Sequence, residues 1–213
     1  MRTLSNRVLL LFAAAFLALF QFGVVAASAD ESTWTVTDGG RTNAYGAFVV
    51  QDTTTGASAS CSNSDMIVRF RDGTGLSGAG LIMITYGNLD NCTGFGVSVE
   101  IHPRGLPWKM NATSYDALTG TTTGTLTSDD AAGISVVAGA DSVGCEVAAG
   151  GPGTAKGEIQ TTYENTTGKL IFSDTNLVIT SVGPGCGGLL NVGDPIMLYS
   201  QYSVSPVPTI TNP

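Results

Sequence analysis

The stretch Phe95–Thr113 reads FGVSVEIHPRGLPWKMNAT, and its first half sets the fold class. Phe95, Val97, Val99 and Ile101 alternate with Gly96, Ser98, Glu100 and His102. Successive side chains of a strand point to opposite faces, so this period of two predicts a strand with one buried and one wet face. Cys92 stands just upstream, where a disulfide can fix the start of the strand. Pro103 stops ladder pairing on its amide side, and Gly105 and Pro107 turn the chain before Trp108.

The same grammar extends in both directions. Upstream, Trp34 and Val36 alternate with Thr35 and Thr37 before the turn Asp38-Gly39-Gly40, and Ala47–Gln51 reads as a short strand followed by a polar stretch, Asp52–Ser60. Met66, Val68 and Phe70 predict a half-buried strand, and Leu81–Tyr86, apolar on both faces, a central one. Downstream, Thr121–Thr127, Ile134–Val137 and Val143–Ala148 read as strands, and Glu158–Tyr163 with Lys169–Ser173 as a hairpin. In Ile196–Val204 the residues Ile196, Leu198, Tyr202 and Val204 share a face. After residue 29 no segment carries apolar residues at helical spacing over three turns. Many short strands separated by turn residues predict an all-β fold, a disulfide-stabilised β-sandwich or barrel of antiparallel sheets.

The N-terminus has a different character. Arg2 and Arg7 precede an uncharged apolar run from Val8 to Ala29, which ends in Ala27-Ser28-Ala29. Basic start, apolar middle and small-x-small ending predict a secretory signal over 1–29, removed after Ala29, with an uncleaved anchor as the competing reading. The remaining 30–213 is expected to form a single all-β domain outside the cell, secreted or held at the surface. The net charge is −8 over the whole chain and more negative without Arg2 and Arg7. That balance argues against nucleic acid or an anionic membrane as a partner.

Four cysteines, Cys61, Cys92, Cys145 and Cys186, allow three pairings. Cys61–Cys92 and Cys145–Cys186 are favoured because each pair brackets a similar pattern. Leu81–Thr85 precedes Cys92 as Leu177–Thr180 precedes Cys186, an echo that suggests two related halves, about 30–127 and 128–213. Without a C-x-x-C pair, and in an exported chain, zinc is the poorer use of these thiols.

The chain carries few residues suited to catalysis. One histidine, His102, excludes most catalytic constellations, and its place beside Glu100 on the polar face reads as a solvated imidazole. There is no nucleophile elbow, zinc-protease helix, phosphate loop or calcium loop. Paired acids drawn from Glu100, Asp116, Asp129, Asp130 and Glu158 would permit an acid-residue hydrolase, the least favoured role. No catalytic residue, metal or cofactor is therefore assigned. Trp108, Tyr115 and Tyr86 are the candidate ligand-binding residues if they stand exposed together; buried packing is the ordinary fate of Trp34 and Trp108. Asn91, Asn111 and Asn165 begin N-x-Ser/Thr triplets, which arise readily in a Thr-rich chain.

The elements Leu76-Ser77-Gly78-Ala79-Gly80, Asn91-Cys92-Thr93-Gly94, Gly105-Leu106-Pro107-Trp108, Asn111–Asp116, Gly168-Lys169-Leu170, Asn191–Pro195 and the ending Tyr202–Pro213 carry a resemblance. They resemble a group of uncharacterised secreted β-rich proteins of high-GC Gram-positive bacteria. The resemblance implies export and a disulfide-bonded β fold, and it transfers no activity. In composition alone the chain is also similar to the small secreted apoproteins that hold enediyne chromophores. These readings converge on a non-enzymatic binding or structural protein whose partners are cell-wall or surface components. The alternative is an extracellular small-molecule carrier with a cleft near Trp108 or Tyr86.

Overall fold

The computed structural model describes residues 33–94 and 96–213; the expected signal, and Phe95, lie outside the described residues. Along the chain run β1 (Trp34–Thr37), β2 (Gly40–Asp52), β3 (Ser58–Phe70), β4 (Gly73–Leu76) and β5 (Ile82–Gly94). Then come β6 (Val97–Arg104), β7 (Trp108–Asp116), β8 (Thr121–Ser128), β9 (Ser135–Ala140) and β10 (Cys145–Gly150). The last are β11 (Ile159–Glu164), β12 (Lys169–Thr175), β13 (Val178–Val182), β14 (Ile196–Ser205) and β15 (Thr209–Thr211).

Eight of these strands close into an antiparallel barrel in the order β5, β3, β2, β14, β12, β11, β8, β7. The ring closes where the first half of β5 meets β7, with Ile82 opposite Met110 and Ile84 opposite Trp108. Closure removes the unpaired edges that an open sheet would leave. Alternation fills the interior. In β14 every second residue from Ile196 to Val204 is buried while Met197, Tyr199 and Gln201 face out. Phe70 and Tyr163 meet edge-on with ring centroids 4.9 Å apart, and Phe172 and Tyr202 lie 5.3 Å apart. Each such side chain contributes about 1.5–3 kcal/mol by leaving water. Their polar ends are satisfied: the Tyr163 hydroxyl donates to the Pro208 carbonyl at 2.7 Å, and the Tyr202 and Ser64 hydroxyls share a bond of 2.8 Å.

Two strand glycines stand where the ring bends. Gly46 lies beside a register shift between β2 and β3, and Gly124 faces one between β7 and β8. A Cβ at Gly46 would run into the Gln201 carbonyl oxygen, and one at Gly124 into that of Asn111. Only glycine admits so close an approach of the neighbouring strand.

β5 serves two sheets. Its second half pairs with β6 over Val97–Val99, after which β6 turns to β9 over Glu100–Arg104. A second antiparallel sheet, β6–β9–β10–β13, thus grows from the barrel wall. The expected alternation of β6 is present: Val99 and Ile101 are buried, Ser98, Glu100 and His102 exposed. Pro103 does not end the strand on that side, since it still faces Val136 of β9. A third, small sheet joins β15 and β4 to the two sides of β1, burying Trp34, Val36 and Ile210 in the main core.

Both sequence-favoured disulfides are present. Cys61 and Cys92 stand directly opposite on β3 and β5, with Cα atoms 3.9 Å apart. Cys145, at the start of β10, is bound to Cys186 in the single helical turn Pro184–Cys186, Cα atoms 4.5 Å apart. The sequence halves about residue 127 do not form separate lobes. β14 from the second half pairs with β2 from the first, and β11 with β8, so one ring interleaves them. The strands β2, β3 and β5 are also longer than the apolar alternation suggested, at 13 residues each. Their extra length is polar because the outer face of a closed barrel meets water.

Candidate functional site

Between the barrel wall and the second sheet lies a cavity of about 310 Å³. On the barrel side its wall is Val50 and Asp52 at the end of β2, Ser58 and Ala59 at the start of β3, and Ile196 and Leu198 at the start of β14. The opposing wall comes from Val97 and Val99 of β6, Val136 and Ala138 of β9, Val147 and Ala149 of β10, and Ile179 of β13. The sequence builds this space simply. Alternation turns Val136, Ala138 and Ala140 to one face of β9, and small or branched residues at those positions fill less than the aromatic rings inside the barrel.

The mouth is formed by the segment after β13. Cys186, Gly187, Leu189 and Leu190 line the cavity, and Val143 contributes from the turn before β10. Gly187 and Gly188 take φ values of 62° and 75°, a backbone region open to glycine but costly for other residues. Leu189 and Val143 are each about half exposed, whereas Leu190 is buried against Leu177, Ile179 and Ile196. The Cys145–Cys186 disulfide ties this segment down and is itself part of the wall.

Most of the lining is aliphatic; Ser58 and Asp52 are its polar side chains. Asp52 is 2% exposed and is the one charged side chain among the described buried residues. Its Oδ1 accepts from the backbone N–H groups of Thr54 at 2.8 Å and Thr55 at 3.1 Å, which shapes the turn from β2 to β3. Its own N–H donates to the Ala57 carbonyl and its carbonyl accepts from the Gly56 N–H. Oδ2 has no hydrogen-bond partner. The apolar pattern in sequence stops at Gln51, with Asp52 opening a polar stretch, whereas β2 runs on through Asp52. The signal that would have found it is the continued alternation Phe48, Val50, Asp52, which carries the carboxylate onto the inner face.

The sequence-predicted ligand residues fall elsewhere. Trp108 is 2% exposed, and its indole N–H donates to the Arg104 carbonyl at 2.9 Å. Tyr115 is half-buried against the main core and Tyr86 is exposed on β5. None of the three lines the cavity. The structure therefore does not bring them together as an exposed aromatic platform.

Of the acids considered for hydrolysis, Glu100, Asp116, Asp129 and Asp130 are exposed and Glu158 is half-buried. Asp116 accepts from the Leu118 N–H and the Thr119 hydroxyl, both at 2.9 Å, and these bonds hold its carboxyl below the usual carboxylate range. Asp129 is held low by its hydrogen bond and ion pair with Lys109. Carboxyls shifted this way are poor proton donors near neutrality. Glu100 faces His102 at 3.4 Å on the exposed side of β6. Among the described residues no three His, Cys, Asp or Glu side chains come together as a metal-binding group, and no helix is long and apolar enough to cross a membrane. No family model, curated protein or solved structure matches the chain.

Proposed function

We propose that this is a non-enzymatic extracellular binding protein that holds a small, largely apolar ligand in the cavity between barrel and second sheet. The observation that carries the reading is the cavity itself: about 310 Å³ walled mostly by aliphatic side chains beside the main core. Small-molecule sites are concave, mostly apolar and supplied with few polar groups, which describes this one. Two disulfides suit an oxidising compartment, in keeping with export. Of the two roles expected from sequence, surface component and carrier, the cavity favours the carrier.

At about 30 Å³ per water molecule the space suits a ligand of about ten non-hydrogen atoms. Titration with 1-octanol by calorimetry tests the proposal. Binding is expected with a negative heat-capacity change, the mark of apolar surface leaving water. Ala138→Phe, which fills the cavity from β9, is expected to abolish the binding while the protein stays folded. No heat of binding to the wild-type protein, or unchanged binding to A138F, would sink the proposal.

A further inference from the structure

We infer that the ligand carries a protonated amine, which meets Asp52 at the cavity wall; the inference rests on the carrier reading above. The β2–β3 turn uses only half of the Asp52 carboxylate. Oδ1 accepts both turn N–H groups, and an asparagine would shape such a turn as well. Oδ2 is buried and unpartnered, and neither ion pair among the described residues, His102–Glu100 or Lys109–Asp129, involves Asp52. A buried carboxylate oxygen left without a hydrogen bond is costly, and the turn, served by Oδ1, does not require Oδ2. Its cost has an explanation if a donor arrives with the ligand.

Position supports this assignment. Asp52 lies in the wall of the cavity, between Val50 on its own strand and Ile196 directly opposite on β14. Apart from Ser58 the rest of that wall is apolar, which fixes no orientation by charge. A single acidic group in an aliphatic site would orient an amphiphile with its cationic end inward and its chain along Val136, Ala138 and Ile179. An ammonium is the donor that best matches a carboxylate, since charge-assisted hydrogen bonds are about twice as strong as neutral ones. An anionic head group would meet like charge and be refused.

Three probes of one chain length separate the possibilities: octylammonium, 1-octanol and octanoate. With the wild-type protein, octylammonium is expected to bind about tenfold tighter than 1-octanol, and octanoate more weakly than either. In Asp52→Asn, which keeps an oxygen for the turn, the amine's advantage is expected to fall to about threefold or less while 1-octanol binds as before. Equal affinity of the wild-type protein for amine and alcohol would overturn the Asp52 assignment and leave the carrier reading standing. An amine preference that persists in D52N would do the same. Failure of all three probes would remove both. The wild-type comparison decides the matter even if the variant does not fold.

Discussion

Asp52 separates two roles that one side chain usually hides. Asp52→Ala removes the acceptor for the Thr54 and Thr55 N–H groups and leaves them without that partner. We expect a loss of about 1–3 kcal/mol in urea unfolding at constant slope. Asp52→Asn keeps the acceptor for both N–H groups, so it should lose less stability than Asp52→Ala. If both variants lost the same stability, the carboxylate would be needed for folding, and its orphan oxygen would call for a different explanation. Trp108 shows the complementary lesson. Its sequence allows recognition only if it stands exposed with Tyr115 and Tyr86, and it takes the ordinary course instead: its ring is core and its N–H is spent on the Arg104 carbonyl. Nothing in one sequence separates a tryptophan that packs from one that binds, because both need the same surface.

At the level of elements, the two disulfides have different duties. Cys61–Cys92 joins adjacent barrel strands that are already paired, whereas Cys145–Cys186 holds the segment that forms the cavity mouth. In the chain-entropy model their loops, 31 and 41 residues of separation, contribute about 4 kcal/mol each. Replacing either pair by alanines should therefore lower the melting temperature by similar amounts. Only the Cys145/Cys186 pair should also weaken 1-octanol binding, because only that pair freezes Leu189 and Leu190 in place. Equal effects of both replacements on binding would show that the mouth is ordered without its crosslink. The strand pattern that led to these elements was readable in Val99 and Ile101, in the β11–β12 hairpin and in the alternation of β14. What could not be read was the forking of β5. Its first half leans on β7 and its second on β6, and such a change of partner depends on contacts remote in sequence. The cavity lies between the barrel and the sheet that grows from it, and so it too depends on contacts that a single sequence does not display. The echo of Leu81–Thr85 in Leu177–Thr180 misled for the same reason: one became a barrel strand and the other a strand of the second sheet.

For the molecule as a whole, two tyrosines set a limit on the alkaline side. Burial pushes the Tyr202 hydroxyl up to about 12, against an ordinary value of 10.0, and raises that of Tyr163 as well. Both side chains are fully buried. Above pH 10 the unfolded chain gives up these protons while the folded one retains them. The unfolded state then binds fewer protons, and stability, whole below pH 10, falls as pH rises toward 12 by about 1.4 kcal/mol per unit for each tyrosine. Urea midpoints measured from neutrality upward, alongside tyrosinate absorbance, should show a shared decline that Tyr202→Phe partly relieves. A stability that stays flat through this range would mean that the two hydroxyls are not sealed in the core. The small sheet at the chain ends has a consequence of another kind. Because Thr35 lies opposite Thr211, the beginning and the end of the domain leave the body side by side. A short bridge from Pro213 to Thr33 would therefore join neighbours in space and leave the ring of strands undisturbed.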